Sequence, residues 1–477
     1  MISHYYGILV SLFLILIYVL SIIYAIKAIM TVRTSQGTIA WVVSLLTFPF
    51  VALPLFWLFG RRKFHGYADS MRKAYDELEG AVQVAYDSIL QHEQNVTQLH
   101  PLATTVKKLT HIGFTNSNNM ELLIDGEKTY QSMFDALDAA QTYILFQFFI
   151  IHADEAGQAF QKRLIQKAKT GVSVYFLYDE IGCHSLPNSF ISQMTAAGVQ
   201  VSSFHTRKGK GNRFQVNFRN HRKIVIVDGK TAFIGGLNVG DEYLGKNKKF
   251  GHWRDTHLRL QGPSVQDIQL SFLRDWYWAQ HTIPKVEWRT NATEQNQSVA
   301  IMSTGPDSPM ETGALFILDM INMAHDRLWI ASPYFVPDDT IIKALQLAVL
   351  RGVDVRIMLP AKADHMLVYL CSYDYYCDMQ VAGVKLYRYE KGFMHQKVML
   401  VDDRVASVGT VNLDNRSLYI NFEITALSAD KTFIQQVESM LNEDLTNCCT
   451  VDLESFARRP YLFRLMVKAI RLLAPIL

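Results

Sequence analysis

NHRKIVIVDGKTAFIGGLN, residues 220 to 238, and MHQKVMLVDDRVASVGTVN, residues 394 to 412, can be laid over one another without a gap. Each has His-x-Lys, then four residues, then Asp, and an Asn 17 positions after the His. The two sets are His221, Lys223, Asp228 and Asn238, then His395, Lys397, Asp402 and Asn412. One such match by chance means little; two in register, with Asn at the same offset, remove coincidence. KIVIVD and KVMLVD read as strands, and alternate residues of a strand share a face. The His and Lys of each motif therefore point together into one site, with Val225 and Val227 following towards a core. Asp228 has the opposite parity and precedes Gly229, a hairpin-turn signal, so it is expected to brace the strand or pair with a base. The same holds for Asp402. The small residues of GGLN and GTVN are expected to let backbone and Asn amide approach a ligand closely.

The repetition extends outward from the motifs. TYILFQFFIIHAD from residue 142 matches RLWIASPYFVPD from residue 327. TGVSVYFLYD from 170 matches RGVDVRIMLP from 351, and Ala197-Gly198-Val199 matches Ala382-Gly383-Val384. Strand, helix and strand in succession predict an α/β fold, with two pseudo-symmetric α/β sandwich halves at 112–285 and 286–457. Residues 61–111 read as a helical connector, and the polar stretch 288 to 298 links the halves.

Two His, two Lys and two Asn suit a tetrahedral phosphate better than a metal. Lys is a poor metal ligand, and too few carboxylates point inward for a two-metal site, so no metal and no cofactor are expected. Lys223, Lys397, Asn238 and Asn412 would clamp the phosphate oxygens. One imidazole would attack phosphorus and the other protonate the departing oxygen, giving a phosphohistidine that an incoming hydroxyl releases. Each imidazole then needs a carboxylate to fix its tautomer, and Asp255 in HWRDTHLRL and Glu423 in INFEITALS stand at matching places.

The chain has 477 residues, of which 49% are hydrophobic and 19% charged, with a net charge of +3. These values exclude a disordered or collagen-like chain and give no argument for bulk nucleic-acid binding. The five cysteines are odd in number and form no CxxC, so they read as reduced thiols.

Apolar residues gather at the N-terminus. Residues 8 to 26 and 38 to 59 carry no charge, and each is long enough to cross a bilayer. Residues 1–60 are thus expected to form a transmembrane helical hairpin, its second helix kinked at Pro49 and Pro54. A hairpin returns the chain to its starting side. Arg61, Arg62 and Lys63 favour that side being cytoplasmic, while Lys27 and Arg33 near the turn argue the other way. Residues 458–477 read as a basic amphipathic helix, with Arg464, Lys468 and Arg471 on one face, suited to an anionic membrane surface.

The duplicated HxKx4D motif resembles that of the phospholipase D superfamily. The N-terminal hairpin, YFVPD at 334 to 338, RSLYINFE at 416 to 423 and the terminal RLLAPIL resemble the bacterial cardiolipin synthase family over nearly the whole chain. The resemblance implies both motifs in one site between phospholipase D-like halves, with no catalytic metal. It further implies a phosphatidyltransferase in a bacterial cell membrane, multi-pass, its catalytic part on the cytoplasmic face. The implied reaction condenses two phosphatidylglycerol molecules into cardiolipin and glycerol. The implied partners are membrane phospholipids and not nucleic acid, and the number of chains in the assembly stays open. By motif, His221 is the nucleophile and His395 the acid and base, with the reverse order open. Hydrolysis of the phospholipase D type and use of phosphatidylethanolamine as donor share this motif chemistry. The basic loop TRKGKGNRF, 206 to 214, would gather anionic head groups. The acid after the second motif is Glu423 where the first half has Asp255, so the two subsites need not be equivalent.

Overall fold

The computed structural model describes residues 2–32, 34–60, 63–64, 66–204, 217–451 and 458–477, with the side chains of 2–3, 74–82 and 476 left aside. The loop expected to gather head groups, 206 to 214, lies outside the described residues. The chain divides into one unit of residues 1–68 with 206–218 and another of 69–205 with 219–477.

The first unit is helical. Helix α1 spans Ile2–Thr31, α2 Ser35–Thr47 and α3 Pro49–Phe59. Only α1 is long and apolar enough to cross a membrane among the described residues. The second apolar stretch is therefore not the single kinked span expected from sequence. Pro49 has no N–H to continue the ladder of α2, so the helix stops at Phe48 (φ −128°, ψ 57°) and α3 starts with proline in its first turn.

In the second unit, helices Tyr67–Leu90 and His100–Thr110 lead into the repeated halves. The first half has strands β1 (Thr115–Ile124), β2 (Tyr143–Phe148), β3 (Ser173–Asp179), β4 (Gln200–Phe204), β5 (Ile224–Val227), β6 (Thr231–Gly235) and β7 (Thr256–Gln261). The second has β8 (Gln297–Thr304), β9 (Arg327–Ala331), β10 (Asp354–Pro360), β11 (Lys385–Tyr389), β12 (Val398–Val401), β13 (Val405–Gly409) and β14 (Asn421–Ser428). The first sheet runs β4-β3-β2-β5-β6-β7-β1 and the second β11-β10-β9-β12-β13-β14-β8, the same topology twice. β2, β3 and β4 are parallel, as are β9, β10 and β11, because helical crossovers connect them. Asp154 and Asp338, at matching places, cap the first crossover helix of each half through Gly157 N and Ile341 N. β1 pairs antiparallel with β8, Thr115 opposite Val299, and β8 also pairs with β14, which joins the sheets edge to edge.

Val225 and Val227 point into an apolar core with Phe146, Phe176 and Phe233, as strand parity predicts. The carboxylate of Asp228 accepts from the backbone N–H groups of Gln141, Thr142 and Tyr143. Asp402 does the same for His325, Asp326 and Arg327. Each motif aspartate thus anchors the chain entering β2 or β9, the strand beside its own motif strand.

The C-terminal helix, Tyr461–Arg471, is tied down by two of its cations: Lys468 and Arg471 pair with the buried Asp374 carboxylate, while the Lys468 side chain itself stays 69% exposed. Arg464, Tyr461, Leu462 and Leu465 are exposed too, so basic and apolar residues share the outer surface and Val467 is buried.

Candidate active site

The two motifs lie just ahead of β5 and β12, and each is clamped to the other half. Arg219–Asn220 pairs in parallel with Asn421–Phe422, and His221 N donates to Phe422 O at 2.9 Å. Phe393–Met394 pairs likewise with Trp253–Arg254, and His395 N donates to Arg254 O at 2.8 Å. These short ribbons set each histidine beside the carboxylate strand of the opposite half.

The histidine–carboxylate pairs therefore cross over. His221 Nδ1 lies 2.8 Å from Glu423 Oε2, and His395 Nδ1 lies 2.8 Å from Asp255 Oδ2. Both carboxylates are fully buried and each histidine is 7% exposed. With Nδ1 engaged, Nε2 of each ring is the nitrogen left for chemistry. Aromatic rings flank the imidazoles: Phe149 at 5.0 Å from His221, Trp253 at 5.2 Å from His395.

Lys223 Nζ donates to His221 O at 2.7 Å, and Lys397 Nζ donates to His395 O. Burial pushes the Lys223 ammonium down to about 7 and that of Lys397 down to about 8, against the pull of Glu423 and Asp255. Each of these lysines interacts with the carboxylates of both halves, so the two motifs form one electrostatic centre. Burial likewise pushes the His221 imidazole down to about 4; Lys223 and Lys397 add to the push and Glu423 opposes it. His395 is lowered by burial and Lys397. Burial works against the charge of Asp255 and of Glu423. Lys397 and His395 nevertheless hold Asp255 below the usual carboxylate range, and His221 and Lys223 do so for Glu423.

The two asparagines are not alike. Asn238 accepts from Ile150 N at 3.1 Å and donates to the Tyr243 hydroxyl at 3.1 Å, so both ends of its amide are engaged within the protein. Asn412 lines a cavity with Lys397, and its buried Oδ1 has no hydrogen-bond partner. The small residues of GGLN also serve another purpose than expected. A Cβ on Gly236 would meet Asp255 Oδ1 at 2.0 Å, so what approaches there is the His395 partner. At the matching position Thr410 Oγ1 donates to Glu423 Oε2, the same oxygen that faces His221. The Asp/Glu difference between subsites is thus accompanied by a Gly/Thr difference.

Sequence reasoning missed the buried supports behind the motifs. Arg222, between His221 and Lys223, reaches Asp275 at 2.8 and 2.9 Å and the Glu423 carbonyl at 3.1 Å. In the other half Gln396 and Arg254 converge on Asp444 at 2.6 to 2.8 Å. The signal available was an Asp on the apolar side of a helix that closes each repeat. Among the described residues no three His, Cys, Asp or Glu side chains gather as metal ligands would.

The family description "Cardiolipin synthase, PLD-like domain" matches residues 133–276 and 317–445. Cardiolipin synthase A of Pseudomonas entomophila strain L48 is 44% identical over 477 residues, covering 99% of each chain. Cardiolipin synthase A of Pseudomonas fluorescens strain SBW25 is 42% identical over 472 residues, covering 98% of each. Among solved structures, phosphatidylserine synthase of Haemophilus influenzae superposes with a TM-score of 0.60 at 16% identity, over 79% of this chain and all of that one; this likeness shows the fold. Phospholipid chemistry and a long apolar helix together make this a membrane-associated phosphatidyltransferase. Matched over more than half its length and related end to end to these synthases, the chain belongs to the cardiolipin synthase family of the phospholipase D superfamily.

Proposed function

We propose that this site moves a phosphatidyl group from one phosphatidylglycerol to a hydroxyl of a second, giving cardiolipin and glycerol. The crossed pairs His221–Glu423 and His395–Asp255 carry the reading, because each leaves one Nε2 oriented by a buried anion. His221 Nε2 attacks phosphorus. The P–O bond to glycerol breaks and its electron pair goes to oxygen; His395, which enters the step as the imidazolium paired with Asp255, gives its Nε2 proton to that oxygen, is left neutral, and glycerol leaves. The second phosphatidylglycerol then gives its hydroxyl proton to His395, attacks phosphorus, and the P–N bond breaks to restore His221. Burial and the two ammonium groups keep His221 unprotonated, which suits the nucleophile.

Lys223 and Lys397 stabilise charge on the phosphoryl oxygens throughout, since neither contributes a proton to either transfer. Asn412, whose amide N–H donates to the Asp414 carboxylate, and Asn238, which fixes the chain at Ile150, act from behind the phosphate and do not donate to it in this arrangement. Asp255 and Glu423 orient the histidines, and Asp228 and Asp402 act at one remove through the strands they anchor.

Residues 1–60 form the membrane part, 61–111 a connector, 112–285 and 286–457 the halves, and 458–477 a terminal helix whose exposed leucines meet lipid. The chain resides in a bacterial cell membrane with its catalytic halves on the cytoplasmic side, where its basic residues are favoured. The test is to embed the protein in phosphatidylglycerol vesicles and measure products. Cardiolipin and glycerol in equal amounts are expected. Phosphatidic acid in their place would make the site a hydrolase, and dependence on phosphatidylethanolamine would change the donor.

A further inference from the structure

The second apolar stretch folds back on itself. A straight continuation of α2 would separate residues 41 and 56 by about 22 Å at 1.5 Å per residue. Instead the Trp41 and Phe56 rings lie 5.1 Å apart. Tyr24 of α1 touches both Phe56 and Trp57, each at 5.8 Å. Ala25, Ala28, Leu45, Ala52, Leu53 and Phe56 form one buried cluster among the three helices.

The turn at Phe48 is supported by chemistry suited to an apolar medium. In an unbroken helix residue 49 would donate to the carbonyl of Leu45, and proline cannot. Ser21, fully buried, donates its hydroxyl to that same Leu45 carbonyl. A carbonyl left unpaired in hydrocarbon is strongly disfavoured, so a serine at this point of α1 makes the break tolerable inside a bilayer.

Levels along α1 then follow. Leu45 sits at Ser21, six residues before Lys27, and Phe48 lies three residues beyond Leu45. The bend is thus about 13 Å deep from Lys27, near the middle of a hydrocarbon core about 30 Å thick. Phe56 and Trp57 have come back to the level of Tyr24.

We propose that α1 crosses the bilayer once and that α2 and α3 form a re-entrant hairpin, entering and leaving on the side of the α1 C-terminus. This rests on the membrane reading of the proposed function. It places residue 60 across the membrane from the N-terminus, the reverse of a two-span hairpin. It also removes the conflict of charges in the sequence. Lys27 and Lys63 flank the same side, whereas no Lys or Arg stands in residues 2 to 7 ahead of the apolar run of α1. The basic side is the cytoplasmic one, and the N-terminus lies outside.

The test uses the full chain with Cys183, Cys371, Cys377, Cys448 and Cys449 replaced by serine and one new cysteine introduced at a time: H4C, Q36C, F48C or K63C. A membrane-impermeant maleimide is applied to right-side-out and inverted vesicles. Q36C and K63C are expected to label at least tenfold better in inverted vesicles, H4C in right-side-out ones, and F48C in neither. H4C and K63C labelling from one face with Q36C from the other would restore two spans and overturn the proposal, as would all three from one face. Should the cysteine-free chain not fold, an N-terminal and a C-terminal epitope tag on the native chain are digested by protease from outside. Loss of the N-terminal tag alone agrees, and loss or survival of both together refutes. Release of the protein by alkaline carbonate would instead defeat the membrane reading itself.

Discussion

Replacing Glu423 by Gln should disable a histidine 202 residues away in sequence and in the opposite half. The carboxylate is fully buried, faces His221 Nδ1 at 2.8 Å, and takes the Thr410 hydroxyl on the same oxygen. Gln preserves the shape but removes the charge, and its amide can present N–H where the carboxylate accepted. His221 then carries its proton on Nε2, the nitrogen required for attack. Loss of the anion and of the tautomer together is expected to raise the barrier by about 4 to 5 kcal/mol, a rate loss of about 10³ to 10⁴. The assay follows p-nitrophenol release from a phosphatidyl p-nitrophenyl diester, whose leaving group needs no proton. E423Q should lose the initial burst. D255N, which impairs His395, should retain a burst within about tenfold of the parent while losing turnover to cardiolipin. A burst that survives in E423Q and vanishes in D255N would reverse the two histidines. Bursts and turnover near the parent level in both would refute the tautomer argument altogether.

Three further outcomes follow from the same geometry. Burial pushes the Lys223 and Lys397 ammonium groups down to about 7 and about 8 in the empty site, so an anion must recharge them as pH rises. Affinity for a water-soluble phosphodiester of constant charge should fall by about tenfold per pH unit for each lysine above its empty-site value; inhibition titrations that are flat to about pH 9 would contradict this. G236A places a methyl carbon 2.0 Å from Asp255 Oδ1, too close for either to stay, and should lower turnover by about 100-fold or more by displacing the His395 partner. D228A leaves three backbone N–H groups without their acceptor and should cost about 2 kcal/mol of stability, seen as a lower denaturation midpoint, with the folded fraction still active. Lost activity at an unchanged midpoint would instead put Asp228 in the chemistry.

The repeat made the α/β halves legible, because the duplicated motif and its flanking strands occur in the same order in each. Strand parity separated His221 and Lys223 from Asp228, since it depends only on a period of two. The crossing of Glu423 to His221 was not legible: it arises from the parallel ribbons at Asn220–Phe422 and Met394–Arg254, which join segments some 140 to 200 residues apart. The terminal helix shows its amphipathic pattern in sequence, but not that Lys468 and Arg471 tie it to Asp374, 94 residues before Lys468. Residues 38 to 59 have the hydropathy of a span, and Pro49 was visible. What hydropathy does not encode is the capping of the Leu45 carbonyl by Ser21, which lets the helix end there.

The central claim is that two histidines from repeated halves act on one phosphorus atom, with the covalent bond formed at His221. The direct measurement is to react the H395N variant with the p-nitrophenyl donor, quench in alkali, and map the phosphorylated residue by mass spectrometry. The account predicts a single phosphatidyl adduct on the Nε2 nitrogen of His221, formed with the burst and lost on adding a lipid hydroxyl and the parent enzyme's base function in the form of imidazole. An adduct on any other side chain, or a full burst with no adduct, would contradict it.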